Sequence, residues 1–358
     1  MEKNFTKDGL ILLNKSKGVS SFGAINHLKK VMKAKKVGHA GTLDPMAEGL
    51  MIVMINEATK FSDNLMKKDK EYYVEMELGY KTDTYDLEGT VIAKYDSEIN
   101  ISDSEIIQAV NSFKGKIKQV PPMYSAIKIE GQKLYDLARK GIEVERAERD
   151  VEISEIREIK IVRPDKNSEN AQNIKISFYV KVSSGTYIRS LVYDIGEKLG
   201  VFATMTRLVR TKIGRFDIED AITLEKAKAE IDKLKNLMEI KRDNESFWAT
   251  KNDSAIRAEK IREIVCFVEI EYVLDYYGIN VSNVKYGKLK NGMTVIDTFK
   301  KFENISKEAS KGANVRENQK FKIYVRNKNT NVREFKGIVK IVNIRGDRIY
   351  LKRDKYFL

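Results

Sequence analysis

Short apolar runs separated by glycine-bearing turns organise most of this chain. Residues 8–13 (Asp-Gly-Leu-Ile-Leu-Leu) read as a strand. A helix over about 22–33 follows, carrying Phe22, Ile25, Leu28 and Val31, with Ser20 or Ser21 as its cap. Further strands read at 50–55 and at about 71–79, 88–95, 149–162, 174–183 and 201–210, with helices near 103–112, 133–140, 187–199 and 223–238. The helix at 187–199 is the best specified, because Ile188, Leu191, Val192, Ile195 and Leu199 share one stripe and Thr186 stands where a cap belongs. Residues 37–49 hold Gly38, Gly41, Gly49 and Pro45 and show neither period, so they are expected to be irregular backbone. Strands outnumber helices and do not alternate with them one for one. The pattern therefore predicts an α+β fold with a mixed, mostly antiparallel sheet flanked by helices.

Periodicity lapses near residue 240. Beyond it, 321–326, 335–344 and 348–351 read as short strands with partial alternation, which predicts a small C-terminal β-barrel. The division expected is a body at 1–240, a linker or excursion at 241–280, and a compact module at 281–358. Charge sharpens that division. Of the net +14, residues 281–358 carry 20 basic against 7 acidic side chains, leaving the other 280 residues close to neutral. A nearly neutral body with a basic, folded end suggests a domain that acts and a module that meets a polyanion, against the plainer reading of a solubilising tail.

Composition removes several classes. The chain is 42% apolar and 33% charged, with a mean hydropathy of −0.44. It has no apolar run near the roughly 18 residues of a membrane span, and its start holds an acid and no apolar stretch, so no membrane and a cytoplasmic location are expected. One cysteine, Cys266, and two histidines, His27 and His39, allow no internal disulfide and no zinc-type cluster. Phosphate cradles are missing too: there is no Gly-x-Gly-x-x-Gly, and neither Gly115-Lys116 nor Gly287-Lys288 is followed by Ser or Thr.

The loop Gly38-His39-Ala40-Gly41-Thr42-Leu43-Asp44-Pro45 is different. A carboxylate fixed before proline among glycines has the build of a reactive group on a special backbone. It equally suits an Asx-type turn in which Asp44 bonds its own backbone. Arg189, in the first turn of the 187–199 helix, is either a surface cation or the partner of a buried acid.

With Glu57-Ala58-Thr59-Lys60, Lys70-x-Tyr72, Thr82-Asp83-Thr84-x-Asp86, Met123-Tyr124-Ser125-Ala126-x-Lys128, Gly141-Ile142-Glu143-Val144 and Gly185-Thr186-Tyr187-Ile188-Arg189 in order after that loop, the sequence resembles the bacterial tRNA pseudouridine-55 synthases of the TruB family, from about Gly9 to Met238. The resemblance implies a pseudouridine-synthase fold with an RNA-gripping insertion at about 121–150 and, more loosely, a PUA-like RNA-binding C-terminal module. It implies an isomerase that flips the T-loop uridine out of tRNA and needs no cofactor. It assigns Asp44 as the catalytic aspartate, Tyr72 as the ring stacked on the target base and Arg189 as the partner of the aspartate. His39 would reach into the RNA loop, Lys15 and Leu208 would line the pocket, Gly41 and Thr42 would contact substrate, and Lys29 and Lys33 would hold phosphates. Lys15-Ser16 stands where the family has Lys-Pro, Glu48 where it has a small residue, and 163–173 looks like an insertion. The partner expected is the tRNA T-arm, with the enzyme a monomer that needs no protein partner. A tRNA-folding chaperone and a guide-RNA-dependent synthase of the dyskerin kind are the alternatives.

Overall fold

The computed structural model describes residues 8–125, 127–129, 131–164, 174–229, 232, 267–269, 277–298, 316–327 and 330–357. The expected linker falls mostly outside them. A mixed, mainly antiparallel sheet forms the body. Along its path lie Ile222–Thr223, Gly9–Lys15, Glu48–Ile55, Ala203–Ile213, Lys70–Leu78, Lys175–Val182, Arg149–Val162 and Gly115–Gln119. Two neighbour pairs are parallel, Gly9–Lys15 with Ile222–Thr223 and Glu48–Ile55 with Ala203–Ile213, and the other five are antiparallel.

The apolar runs and the alternating runs go to different parts of this sheet for one reason, the number of covered faces. In Gly9–Lys15, Ile11 and Leu13 enter the core beneath the helices while Leu10 and Leu12 enter a second core on the opposite face, so the whole run is apolar. In Lys70–Leu78, Val74, Met76 and Leu78 are buried while Tyr73, Glu75 and Glu77 are half-exposed, so the run alternates. That outer face is laced by Arg207, 3.5 Å from both Glu48 and Glu75, and by Tyr73 packed 5.2 Å from Tyr179. Glu48, the departure from the family pattern, thereby gains a partner.

Three helices cover the inner face. Ser20 caps Ser21–Met32 by accepting from the Gly23 N–H at 3.0 Å, and Ser102 and Glu105 form a reciprocal capping box at the start of Asp103–Asn111. Ile188–Leu199 is capped otherwise than expected. Thr186 turns its hydroxyl back to the Ser183 carbonyl, and Tyr187 occupies the cap position with no side-chain bond. The buried Gln119 amide anchors the cap residue itself, accepting from the Tyr187 N–H at 2.8 Å and donating to its carbonyl at 3.0 Å. Of residues 223–238, 224–229 are helical and most of the rest lies outside the described residues.

Two expectations change. Within the loop read as irregular, Val37–His39 is a short strand paired to Val53–Ile55, because the adjacent edge of the sheet is open to it. Within the stretch read as linker, Phe267–Glu269 pairs with Gly9–Ile11, and Tyr277–Asn280 belongs to the C-terminal sheet. That sheet, in the order Tyr277–Asn280, Lys320–Arg326, Arg333–Arg345, Arg348–Phe357 and Val295–Thr298, is a curled half-barrel; its two end strands are not paired to each other among the described residues. It does not stand apart from the body. Ile338 is buried and Phe335 packs beside it in the second core, against Leu10, Leu12, Leu50 and Ile52.

One glycine fixes how the Glu48–Ile55 strand meets its parallel neighbour. Gly49 has φ +103°, and a Cβ there would lie 2.4 Å from the Arg210 carbonyl oxygen. Gly49→Ala is expected to destabilise the fold by about 3 kcal/mol through backbone strain and overlap. Urea unfolding measures it, and a loss below about 1 kcal/mol would contradict the packing argument.

Candidate functional site

The loop from Ala40 to Ala47 has few partners in regular structure, so side chains must satisfy its backbone. The Ser21 hydroxyl bridges both backbone groups of Leu43, at 2.9 Å from its N–H and 2.8 Å from its carbonyl. Lys15, 2% exposed, donates to the carbonyls of Val19, Ser16 and Pro45 at 2.7, 3.0 and 3.2 Å. Arg210, 1% exposed, donates to Leu50, Gly41 and Thr42 carbonyls at 2.7, 3.2 and 3.4 Å. Burial pulls the Lys15 ammonium down to about 8, against the opposing pull of Asp44 and Glu48. The loop is thus fastened from beneath by two cations that bind its Gly41, Thr42 and Pro45 carbonyls together with carbonyls of the flanking segments.

Asp44 crowns it. Its Oδ2 lies 3.0 Å from Arg189 Nε, so the carboxylate is engaged by a distant cation and not only by its own turn. The remaining guanidinium donors reach the Thr84 carbonyl from Nη1 at 3.1 Å and the Tyr124 carbonyl from Nη2 at 2.7 Å. A second carboxylate, Asp86, has Oδ2 3.6 Å from the same Nε. Asp86 also accepts at Oδ1 from the Thr84 hydroxyl at 2.6 Å and the Glu88 N–H at 3.0 Å. Burial raises its pKa, with the Thr84 hydrogen bond and Arg189 opposing. The two acids differ in access: the Asp86 side chain is 3% exposed and Asp44 37%. One is structural in placement; the other is available to a ligand.

Asp44 and Arg189 open into a cleft of about 500 Å³. Gly41, Thr42, Tyr72, Leu208, Tyr124 and Tyr187 are among its walls. Tyr72 and Leu208 come from adjacent antiparallel strands, and each is largely buried, with its exposed part turned to the cavity. The structure therefore brings together Asp44, Arg189, Tyr72, Leu208, Gly41 and Thr42. Lys15 does not line the cleft; it lies under the loop, because three carbonyls compete for its ammonium. His39 is also absent from the cleft wall. It sits half-buried on the short strand, with Nδ1 buried and without a partner, and burial lowers its pKa. Lys29 and Lys33 lie at the end of the first helix, outside the cleft. Sequence reasoning assigned no role to Asp86 or Arg210. The Thr84-x-Asp86 spacing was a signal for the first, and Arg210 within an apolar alternating strand was a signal for the second.

Among the described residues no group of three or more His, Cys, Asp or Glu is placed to hold a metal ion, and no helix is long and apolar enough to cross a membrane.

Comparisons with known proteins identify the family. The model of the TruB family pseudouridylate synthase N-terminal domain matches residues 29–188, and that of the tRNA pseudouridylate synthase B C-terminal domain matches 189–243. The tRNA pseudouridine synthase B of Clostridium perfringens (strain 13 / Type A) is 47% identical over 291 residues, covering 81% of this chain and 85% of the relative. That of Fusobacterium nucleatum subsp. nucleatum is 50% identical over 212 residues, covering 59% of this chain and 70% of the relative. Among solved structures, an H/ACA RNP bound to a substrate RNA containing 2′-deoxyuridine superposes with TM-score 0.62 at 21% identity, over 98% of this chain and 85% of that one. A Cbf5-Nop10-Gar1 complex gives 0.61 at 22%, over 97% and 85%. At such identities the likeness is one of fold.

The unequal burial of the two acids makes a prediction. Removing Arg189 strands Asp86 as a buried charge, so Arg189→Met is expected to cost about 3–5 kcal/mol. Asp44→Asn leaves Arg189 with Asp86 and two carbonyls and is expected to cost less than about 1 kcal/mol. Denaturant unfolding of both variants checks this; equal losses would show that the three groups do not share charge as described.

Proposed function

The chain belongs to the TruB family of pseudouridylate synthases, and from that membership and the cleft we propose that it acts on uridine 55 in the T-loop of tRNA, with Asp44 as nucleophile. The reaction is the tRNA uridine-to-pseudouridine isomerisation. The C1′–N1 bond breaks and a C1′–C5 bond forms. The C5 proton leaves to water and N1 takes one up, with no oxidation and no net hydrolysis. Such chemistry calls for no cofactor.

The observation that carries the assignment is the 3.0 Å Asp44–Arg189 pair at the floor of a cavity large enough for a nucleobase. A carboxylate needs no activating base to act as a nucleophile, and the guanidinium at hydrogen-bond distance holds it in place. A base within a folded loop has to be extruded, at a cost of a few kcal/mol. Stacking on Tyr72 returns about 1–3 kcal/mol, and Leu208 closes the apolar wall. Since a ring face accepts any base, loop shape and base edges must supply selectivity. The family's role for His39, reaching into the RNA loop, requires it to leave its half-buried position on the short strand. Exposed lysines at the end of the first helix and the basic PUA-like sheet are assigned to phosphates, which set register and affinity.

Purified protein alone, with no guide RNA or second protein, is expected to release tritium from tRNA labelled at C5 of uridine, and Asp44→Asn to release none. Release that survives the substitution would remove Asp44 from its role; release that requires a guide would favour the dyskerin-like alternative. A salt series tests the phosphate contacts. Substituting Lys30, Lys35 and Lys36 by Gln is expected to weaken tRNA binding and to shallow the slope of log affinity against log salt by about one for each phosphate left without its cation. An unchanged slope would show these lysines to be merely solvated.

A further inference from the structure

One polar group in the wall of the cleft is left unsatisfied. Ser125, 5% exposed, lines the cleft, and its hydroxyl oxygen is buried without a hydrogen-bond partner. A hydroxyl so placed forfeits the bonds it would make in water, and such a loss calls for a reason. Disorder is not the reason. The Ser125 N–H donates to the Met123 carbonyl at 2.9 Å and its carbonyl accepts from the Tyr135 N–H at 3.1 Å, so the residue is pinned at both backbone groups.

The phenol of Tyr187, half-buried in the same wall, is the group that feels this hydroxyl. Burial raises the Tyr187 pKa; the Ser125 hydroxyl is the strongest influence against that rise, Arg149 and Arg189 add to it, and Asp44 opposes them. The phenol therefore stands within reach of the Ser125 hydroxyl and of both members of the Asp44–Arg189 pair. Gln119 fixes the Tyr187 backbone at its N–H and its carbonyl, but nothing in that contact fixes the phenol hydrogen. Conjugation keeps this hydrogen in the ring plane with two directions open to it, and a donor on one side of the oxygen selects the other. We propose that Ser125 is a positioning residue for the isomerisation: with RNA in the cleft its hydroxyl donates to the Tyr187 phenol oxygen and fixes the direction in which the phenol hydrogen points. The residue before it, Tyr124, offers its carbonyl to Arg189 at 2.7 Å. Two adjacent residues of the insertion thus set the guanidinium and the phenol on either side of the reaction. The proposal rests on the chain acting on tRNA.

Ser125→Ala, Tyr187→Phe and the double variant are compared with wild type by single-turnover tritium release from C5-labelled tRNA, by tRNA affinity and by urea unfolding. Ser125→Ala is expected to release tritium about tenfold more slowly, with affinity changed by less than about twofold. Because it removes an orphan hydroxyl, its urea midpoint is expected to be no lower than that of wild type, which the loss of a merely structural serine would not give. Tyr187→Phe is expected to lose at least as much rate, and adding Ser125→Ala to it to change the rate by less than about twofold, since the hydroxyl acts only through the phenol. In NMR spectra of protein isotope-labelled at tyrosine Cζ, with Tyr187→Phe identifying the resonance, the Tyr187 signals of wild type and Ser125→Ala are expected to lie further apart in T-arm complexes than in the free proteins. An unaltered rate in Ser125→Ala, losses that multiply in the double variant, a lowered urea midpoint, or no added separation of the signals on RNA binding overturns the proposal. Separation of the signals without any tritium release from wild type would defeat the isomerase reading and leave the link between Ser125 and Tyr187 standing.

Discussion

The site depends on satisfying one buried guanidinium. Arg189 is 5% exposed, so most of its donors must find acceptors within the protein. They find them on segments far apart in the chain: the loop at Asp44, the turn at Thr84 and Asp86, and the insertion at Tyr124. None of these acceptors is placed until the sheet and the 188–199 helix have brought their segments together. A buried pair of this kind adds little net stability compared with apolar packing, since desolvation offsets most of the attraction. What it adds is position, because a charge in a low-dielectric site tolerates few arrangements of its partners.

The same economy governs the loop beneath Asp44. Lys15 and Arg210 are cations with no ion-pair partner among the described residues, and their hydrogen bonds go to backbone carbonyls. Irregular backbone at a buried site leaves such carbonyls in need of donors, and long cationic side chains can reach several at once. Both therefore act as braces under the cleft.

How much of this was legible in the sequence follows from the range of each interaction. Local devices were readable. Ser20 caps the first helix three residues away, and the alternation of Lys70–Leu78 and the stripe from Ile188 to Ile195 are patterns that each element carries within its own residues. Thr186 misled for a local reason, since the Ser183 carbonyl took its hydroxyl, and the Gln119 amide that holds Tyr187 instead comes from 68 residues away. Pairings across 105 and 168 residues, Arg189 with Thr84 and Arg210 with Thr42, leave no trace in periodicity. Asp44, Tyr72 and Arg189 came from family resemblance, and the residues alone left Asp44 equally a turn former. Lys15 was placed near the cleft by that resemblance but not in its correct orientation, because a motif gives proximity and only coordinates give direction.

The C-terminal sheet was foreseen as a separate basic module, and its attachment bears on what its charge can do. A module on a flexible tether would raise affinity without fixing where phosphates lie relative to the cleft. Here Ile338 is buried in the second core, the cluster that holds Leu10, Leu12, Leu50 and Ile52, and half-buried Phe335 packs against that cluster, on the back of the strands whose front supports the Asp44 loop. Apolar burial of that kind, about 25 cal/mol for each Å² removed from water, resists sliding in a way that surface ion pairs do not. The cations of the sheet are thereby held in fixed relation to Asp44. Under the proposed function, phosphate contacts made on the sheet would constrain which nucleotide arrives at the carboxylate, so a sequence-blind electrostatic surface would contribute to the choice of target through geometry.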